Sequence, residues 1–157
     1  MGKIKVTILL IALLITCSCT KEIVPVPNQS AKVFTGTNSK TWKVKFLEQT
    51  LNGKIEDTFN VSCATDDEYT LYANAERAYK ATTGSKKCST NEPSVINDSW
   101  SFNNASATLS MILPFFSENS LPFIVREAKK SNMVLEIFLD NTNTSSYRVH
   151  FESTSEN

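Results

Sequence analysis

The chain has 157 residues, room for one domain of ordinary size but not for two. Its residues are 41% hydrophobic and 10% aromatic, enough for a packed core, which excludes a wholly disordered chain. Basic and acidic side chains number 16 each, so no cationic surplus points to nucleic acid, and the single His, His150, excludes His-rich metal sites.

Lys3 and Lys5 precede an apolar run from Val6 to Ile15, interrupted only by Thr7. At about 1.5 Å per residue such a run covers roughly 15 Å as a helix, half of a bilayer core of about 30 Å, so an export signal is the natural reading. Thr16, Cys17, Ser18, Cys19 and Thr20 follow, and the whole resembles a bacterial lipoprotein signal, in which the apolar run ends on a small residue before the lipidated Cys. Cys19 has Ser18 just before it and is the expected anchor. Cys17 is the alternative, with Leu14 well placed upstream but Thr16 poorly suited beside it. An ordinary secretory signal with incidental Cys residues is the plainer reading of the same segment. The expectation is a signal peptide over residues 1–18, a lipidated flexible tether over 19–39 and a folded domain over 40–157. The tether is read from Pro25, Pro27 and the Asn, Gln, Ser, Thr and Gly residues that follow them.

Loss of residues 1–18 leaves 14 basic against 16 acidic side chains, still close to neutral. With Cys17 and Cys19 set aside, Cys63 and Cys88 remain. In an exported protein a Cys63–Cys88 disulfide is the economical inference, against two buried free thiols. A loop of about 26 residues closed in this way is worth roughly 3.5 kcal/mol in the chain-entropy account.

From Thr41 onward the apolar period is two. Trp42, Val44 and Phe46 share one face, opposite Thr41, Lys43 and Lys45. Asn52-Gly53 is a hairpin signal that demands positive φ at both positions, with a return strand within Lys54–Val61. Tyr69, Leu71 and Ala73 make the next inward set, followed by a tight connection at Asn74-Ala75-Glu76 and a strand within Arg77–Thr82. Trp100 and Phe102, a turn at Asn103-Asn104, then Leu109, Met111 and Leu113 continue the pattern. Phe123 and Val125, then Met133, Leu135, Ile137 and Leu139, then Tyr147, Val149 and Phe151 complete it. No segment long enough to form a helix of ordinary length shows helical periodicity. Roughly eight or nine short strands in a meander predict an all-β chain forming a single antiparallel up-and-down barrel of about eight strands, because an open meander would expose two edges.

Lys40-Thr41-Trp42-Lys43-Val44 at the first strand resembles the opening of the small lipocalin-like domains of Bacteroidetes lipoproteins. Cys63 followed by Asp66-Asp67-Glu68-Tyr69-Thr70-Leu71 is similar to their acidic approach to an aromatic strand, and Asp98-Ser99-Trp100-Ser101-Phe102 with Thr108-Leu109 is similar to their central Trp hairpin. The resemblance covers about residues 40–152. It implies a lipocalin-like barrel on a cell-envelope lipoprotein, most naturally in the outer membrane of a Gram-negative bacterium, and no particular ligand.

Chemical motifs are sparse. Asp66, Asp67 and Glu68 supply carboxylates of the kind calcium uses, but consecutive acids beside a turn are ordinarily solvated. His150 lies on the polar face of the last strand with no nucleophile or orienting partner that the sequence selects. Phosphate-loop, dinucleotide, Gly-x-Ser-x-Gly and metalloprotease motifs are lacking. The expectation is therefore a monomeric, non-catalytic binding module without metal or cofactor, attached to a membrane through its lipid. Inward Trp42, Phe46, Tyr69, Trp100, Phe102, Leu135 and Tyr147, with Phe115 and Phe116 of the Pro-bounded stretch Leu113–Phe123, are the candidates to receive a small apolar ligand. The sequence shows no inward Lys or Arg to pair an anion. The competing readings are side chains that simply fill the barrel and a protein-interaction module, an inhibitor or accessory subunit of an envelope assembly, that acts through its loops.

Overall fold

The computed structural model describes residues 31–157; the signal, Cys17, Cys19 and the first part of the tether lie outside the described residues. A short helix, α1 (Lys32–Thr35), precedes ten strands: β1 (Ser39–Leu51), β2 (Lys54–Phe59), β3 (Glu68–Tyr72), β4 (Ala78–Thr82), β5 (Val95–Ser99), β6 (Ser101–Asn103), β7 (Thr108–Met111), β8 (Leu121–Ala128), β9 (Asn132–Phe138) and β10 (Ser145–Glu156). All pairings are antiparallel, in the order β5-β4-β3-β1-β10-β9-β8-β7-β6, with β2 on β1 off this path.

The two ends of that path are successive in the chain. β5 and β6 are separated only by Trp100, so one bent segment pairs with β4 through its first arm and with β7 through its second. Trp100 N donates to Arg77 O at 2.9 Å, carrying the ladder to the bend. The result is a nearly closed antiparallel barrel, as the alternation predicts, and it is consistent with the lipocalin-like barrel that the resemblance implies. β2 is the exception, a strand whose outer side has no partner, and it carries exposed Lys54, Glu56 and Asp57, charges that discourage edge-to-edge pairing. Asn52 and Gly53 both have positive φ, 50° and 75°, as the two-residue hairpin turn requires.

α1 seals one end. Phe34 is 1% exposed and packs beside Trp100 and Phe102 at centroid separations of 6.4 and 5.0 Å, while Trp42 Nε1 donates to Phe34 O at 2.9 Å. The expected tether is corrected here: its last residues belong to the folded domain because Phe34 is core. Trp42, Tyr69, Leu71, Tyr79, Leu109, Phe123, Met133, Leu135 and Val149 are almost wholly buried inside the barrel. Burying each large apolar side chain contributes about 1.5–3 kcal/mol.

One inward position is cationic, which corrects the reading of an interior free of Lys. Lys40, 2% exposed, shares the inner face with Trp42. Its ammonium donates to Val33 O and Lys130 O, both at 3.1 Å, and lies 3.2 Å from Glu156 Oε2 and 5.3 Å from the centre of the Trp42 ring. Three donors meet three acceptors, which is what makes a buried ammonium tolerable.

Two inward assignments fail for identifiable reasons. The β1–β10 register shifts between Val44 and Phe46, so Leu47 turns inward and Phe46 outward; a bulge inverts the faces beyond it. Leu139, 50% exposed, lies beyond the end of β9.

The Cys63–Cys88 disulfide forms as expected, with a Cα–Cα separation of 4.9 Å. It joins the loop before β3 to the loop after β4. Replacing both cysteines by Ala should lower unfolding free energy by about 2–4 kcal/mol in denaturant titration, and the unfolded, unreduced parent protein should show no titratable thiol at Cys63 or Cys88.

Candidate functional site

The end opposite α1 is framed by the β1–β2 turn and the loops before β3, after β4, after β7 and after β9. A chain of aromatic rings crosses it. Phe59 stands edge-on to Tyr147 at 6.0 Å, Tyr147 lies 5.7 Å from Phe116, and Phe116 lies 4.7 Å from Phe115 and 6.4 Å from Phe123. Phe59, Phe115, Phe116 and Tyr147 are only half-buried, whereas Phe123 is part of the closed core. The barrel itself puts Phe59 and Tyr147 there, since Phe59 is opposite Leu47, and Tyr147 opposite Gln49 and Ile137.

The Pro-bounded loop supplies the other two rings by folding down. Leu113 is fully buried, and its carbonyl accepts from Phe116 N at 2.8 Å and Ser117 N at 2.9 Å. Tyr79 Oη donates to Ile112 O from inside the barrel and fixes the root of the loop. Burial, with the negative charge of Asp67 nearby, holds the Tyr79 phenol well above its ordinary pKa, so it remains a donor. Leu51 and Leu139, about half exposed at 46% and 50%, flank Ser145 on the rim above the rings.

The rim turn after β9 is organised by one carboxylate. Asp140 accepts from the backbone N–H of Thr142, Thr144 and Ser145 and from the hydroxyls of Thr142 and Thr144. Backbone and then side-chain hydrogen bonds from Thr144 lead in drawing its pKa down from 3.8 to about 2.

In the loop before β3 and at the start of that strand, the three consecutive acids part company. Asp66 accepts from Ser85 N, Ser85 Oγ and Lys86 N. Partial desolvation would raise its pKa, but those hydrogen bonds prevail and hold it below the usual value. Asp67, 1% exposed, accepts from Gly84 N at 2.8 Å and Tyr69 Oη at 3.0 Å, yet burial outweighs both and raises its pKa. Glu68 faces outward to Lys43 at 3.3 Å. A Cβ on Gly84 would fall 2.1 Å from the Asp66 carboxyl carbon, so the close approach requires Gly. Among the described residues no group of three or more His, Cys, Asp or Glu is arranged to hold a metal.

The outer wall carries a separate polar knot. Glu136, 2% exposed, accepts from Arg126 Nε, from Arg148 Nε at 3.0 Å and from Ser146 Oγ at 2.6 Å. Burial alone would raise its pKa; these hydrogen bonds hold it below the carboxylate norm. This knot links β8, β9 and β10.

The nine predicted ligand contacts thus divide. Trp42, Tyr69, Trp100 and Leu135 fill the closed interior, and Phe102 half-covers Phe34 at the sealed end. Phe115, Phe116 and Tyr147 meet at the open end, and Phe46 is on the outside. Phe59 is the residue that the sequence reading omits. The Asn52-Gly53 turn signals its hairpin, but the register shift between Gln49 and Thr50 that aligns it with Leu47 leaves no mark in composition. No protein family, curated protein or solved structure matches the chain.

Because the folded pKa of Asp140 lies below its unfolded value, its stabilising contribution is complete above about 3.8 and is lost as pH falls through about 2. Carboxyl-carbon NMR should therefore show Asp140 titrating near 2. Asp140→Asn should remove the part of the stability loss that falls in this acid window.

Proposed function

We propose that this domain is a non-catalytic binding module that receives a small, uncharged apolar ligand at its open end. The observation that carries the reading is the half-buried run Phe59–Tyr147–Phe116–Phe115 beneath a rim bearing Leu51 and Leu139. Such rings offer large apolar area with little conformational entropy left to lose, and the Tyr147 hydroxyl adds a polar handle. The interior below is occupied by its own side chains, so the ligand rests on the mouth rather than deep in the barrel. Among the described residues the one buried cation, Lys40, is at the opposite end with its donors spent, which favours an uncharged guest.

One observation favours the interaction-module reading instead. Leu51, Ile55 and Leu139 are all about half exposed at the same end, at 46%, 54% and 50%, an apolar surface suited to a protein partner.

On residues 1–19 we propose a lipoprotein of the cell envelope, anchored in the outer membrane of a Gram-negative bacterium through lipid on Cys19. The support is the Lys-flanked apolar run ending at Ser18-Cys19. Cys19→Ala should release the protein from the membrane fraction and abolish labelling by a lipid precursor, while Cys17→Ala should leave both unchanged. The reverse pattern moves the anchor to Cys17.

N-phenyl-1-naphthylamine, an uncharged environment-sensitive probe, should bind the folded domain saturably at one site per chain. Phe115→Asp should weaken it by about tenfold, equivalent to about 1.4 kcal/mol. A fold left intact without saturable binding would transfer the function to the interaction reading.

A further inference from the structure

Four outward-facing residues line up at one level across the wall formed by β1, β10, β9 and β8. Phe46 is opposite His150, His150 opposite Val134, and Val134 opposite Glu127. A register shift lies beside this row at each end, between Val44 and Phe46 and between Val125 and Glu127. A bulge bends its strand and re-aims the neighbouring side chain. Between these two bulges the outer wall holds a cleft of about 240 Å³, bordered by Lys45, Phe46, Glu127, Asn132, Val134 and His150.

The cleft combines an aromatic platform with balanced charge. The Phe46 ring stacks on the His150 imidazole at 4.1 Å and 16°, and both side chains are half-buried. His150 Nε2 is shut off from solvent 3.1 Å from Glu48 Oε2, out of hydrogen-bond alignment, so carboxylate and phenyl ring together hold the imidazole in place. At the rim, Lys45 is 3.2 Å from Glu152, and Glu127 is 3.0 Å from Lys129. Asn132 is exposed beside them.

We infer that this cleft is a second binding site, distinct from the mouth, for one neutral sugar ring. The paired rim charges give neither an anion nor a cation a net attraction. A purely apolar guest would cover the rim carboxylate, ammonium and amide without replacing their water, at a cost for each polar group left unpaired. A pyranose satisfies both requirements. Its C–H face lies on the aromatic pair, and its hydroxyls, each donor and acceptor, meet the Asn132 amide, the Glu127 carboxylate and the Lys45 ammonium.

His150 is the only His in the chain, so its imidazole resonances report on the cleft without ambiguity. The full chain, held in a detergent without a sugar headgroup, is titrated with methyl glucopyranoside, methyl galactopyranoside and methyl mannopyranoside, and in parallel with p-cresol. At least one pyranoside should shift the His150 and Asn132 side-chain signals saturably. Phe46→Ala and Asn132→Ala should each weaken that response by at least about tenfold with strand signals unchanged. Absence of saturable shifts with all three sugars overturns the proposal. So does a response that survives both variants, or tighter binding of p-cresol than of any sugar, which would make the cleft a seat for an aromatic side chain. If Phe46→Ala does not fold, Asn132→Ala decides alone, since Asn132 is exposed at the start of β9.

Discussion

Closure of the sheet at Trp100 is the constraint from which the remaining architecture follows. A meander leaves its first and last strands unpaired, and here the chain solves the problem within a single segment whose two arms join opposite ends of the sheet. The bend is held by more than the ladder. Trp100 Nε1 donates to Tyr72 O at 3.0 Å, the ring meets Phe34 edge-on, and the Arg77 guanidinium lies 5.5 Å from its centre. Closure and the sealing of one end by α1 are therefore a single packing event, centred on one indole.

Filling follows from closure. Once the inner faces of the strands meet, Trp42, Tyr69, Tyr79, Phe123 and Phe151 must share the same small volume, and all five are nearly inaccessible to solvent. Native interiors leave few voids, so any guest would have to be met where packing is incomplete. Among the described residues only the end away from α1 offers several half-covered aromatic rings in contact with one another, and its loops are pinned from both sides. Tyr79 holds the root of the Phe115–Phe116 loop from within, while the disulfide and the Asp66 and Asp67 hydrogen bonds fasten the loops before β3 and after β4. These contacts thus serve the shape of the mouth.

Much of this was legible in the sequence, and the exceptions share a physical cause. Period-two alternation identified the barrel and most of its inner face because each strand hides one side and shows the other. Asn52-Gly53 announced its turn through the positive φ it needs, and Cys63 and Cys88 announced their bridge by being the pair left over. Phe46 was misassigned because a bulge inserts one residue without altering composition, and alternation carries no memory across it. α1 was missed because four residues are too few to display a helical period, even though Phe34 is among the most buried residues. Lys40 does not show as an inward cation because nothing in the pattern of neighbours tells that the carbonyls of Val33 and Lys130 and the carboxylate of Glu156 converge on it. Bulges, short caps and long-range polar satisfaction are non-local properties, and a pattern of neighbours cannot encode them.

The two candidate binding surfaces differ in mechanical character, and this follows from where each is built. The outer row Phe46, His150 and Val134 is one residue removed from the inner row Leu47, Val149 and Leu135, all of which are buried in the barrel core. Moving any member of the outer row means moving a residue packed on the other face of the same strand, so the backbone beneath the outer cleft is held by the barrel core. The mouth depends instead on the Phe115–Phe116 loop, whose rings are only half-buried although its root is fixed. Phe115 and Phe116 occupy the apolar surface that a guest would use, so a guest must either lie on top of them or lift them from Phe123 and Tyr147. The first route leaves their packing intact and yields shallow, weak binding. The second exposes core surface at a cost of about 25 cal/mol per Å² until the guest covers it again. Only a ligand of about the size of the displaced rings could recover that cost, so on the proposed reading mouth selectivity would be set by how closely a guest reproduces two phenyl groups.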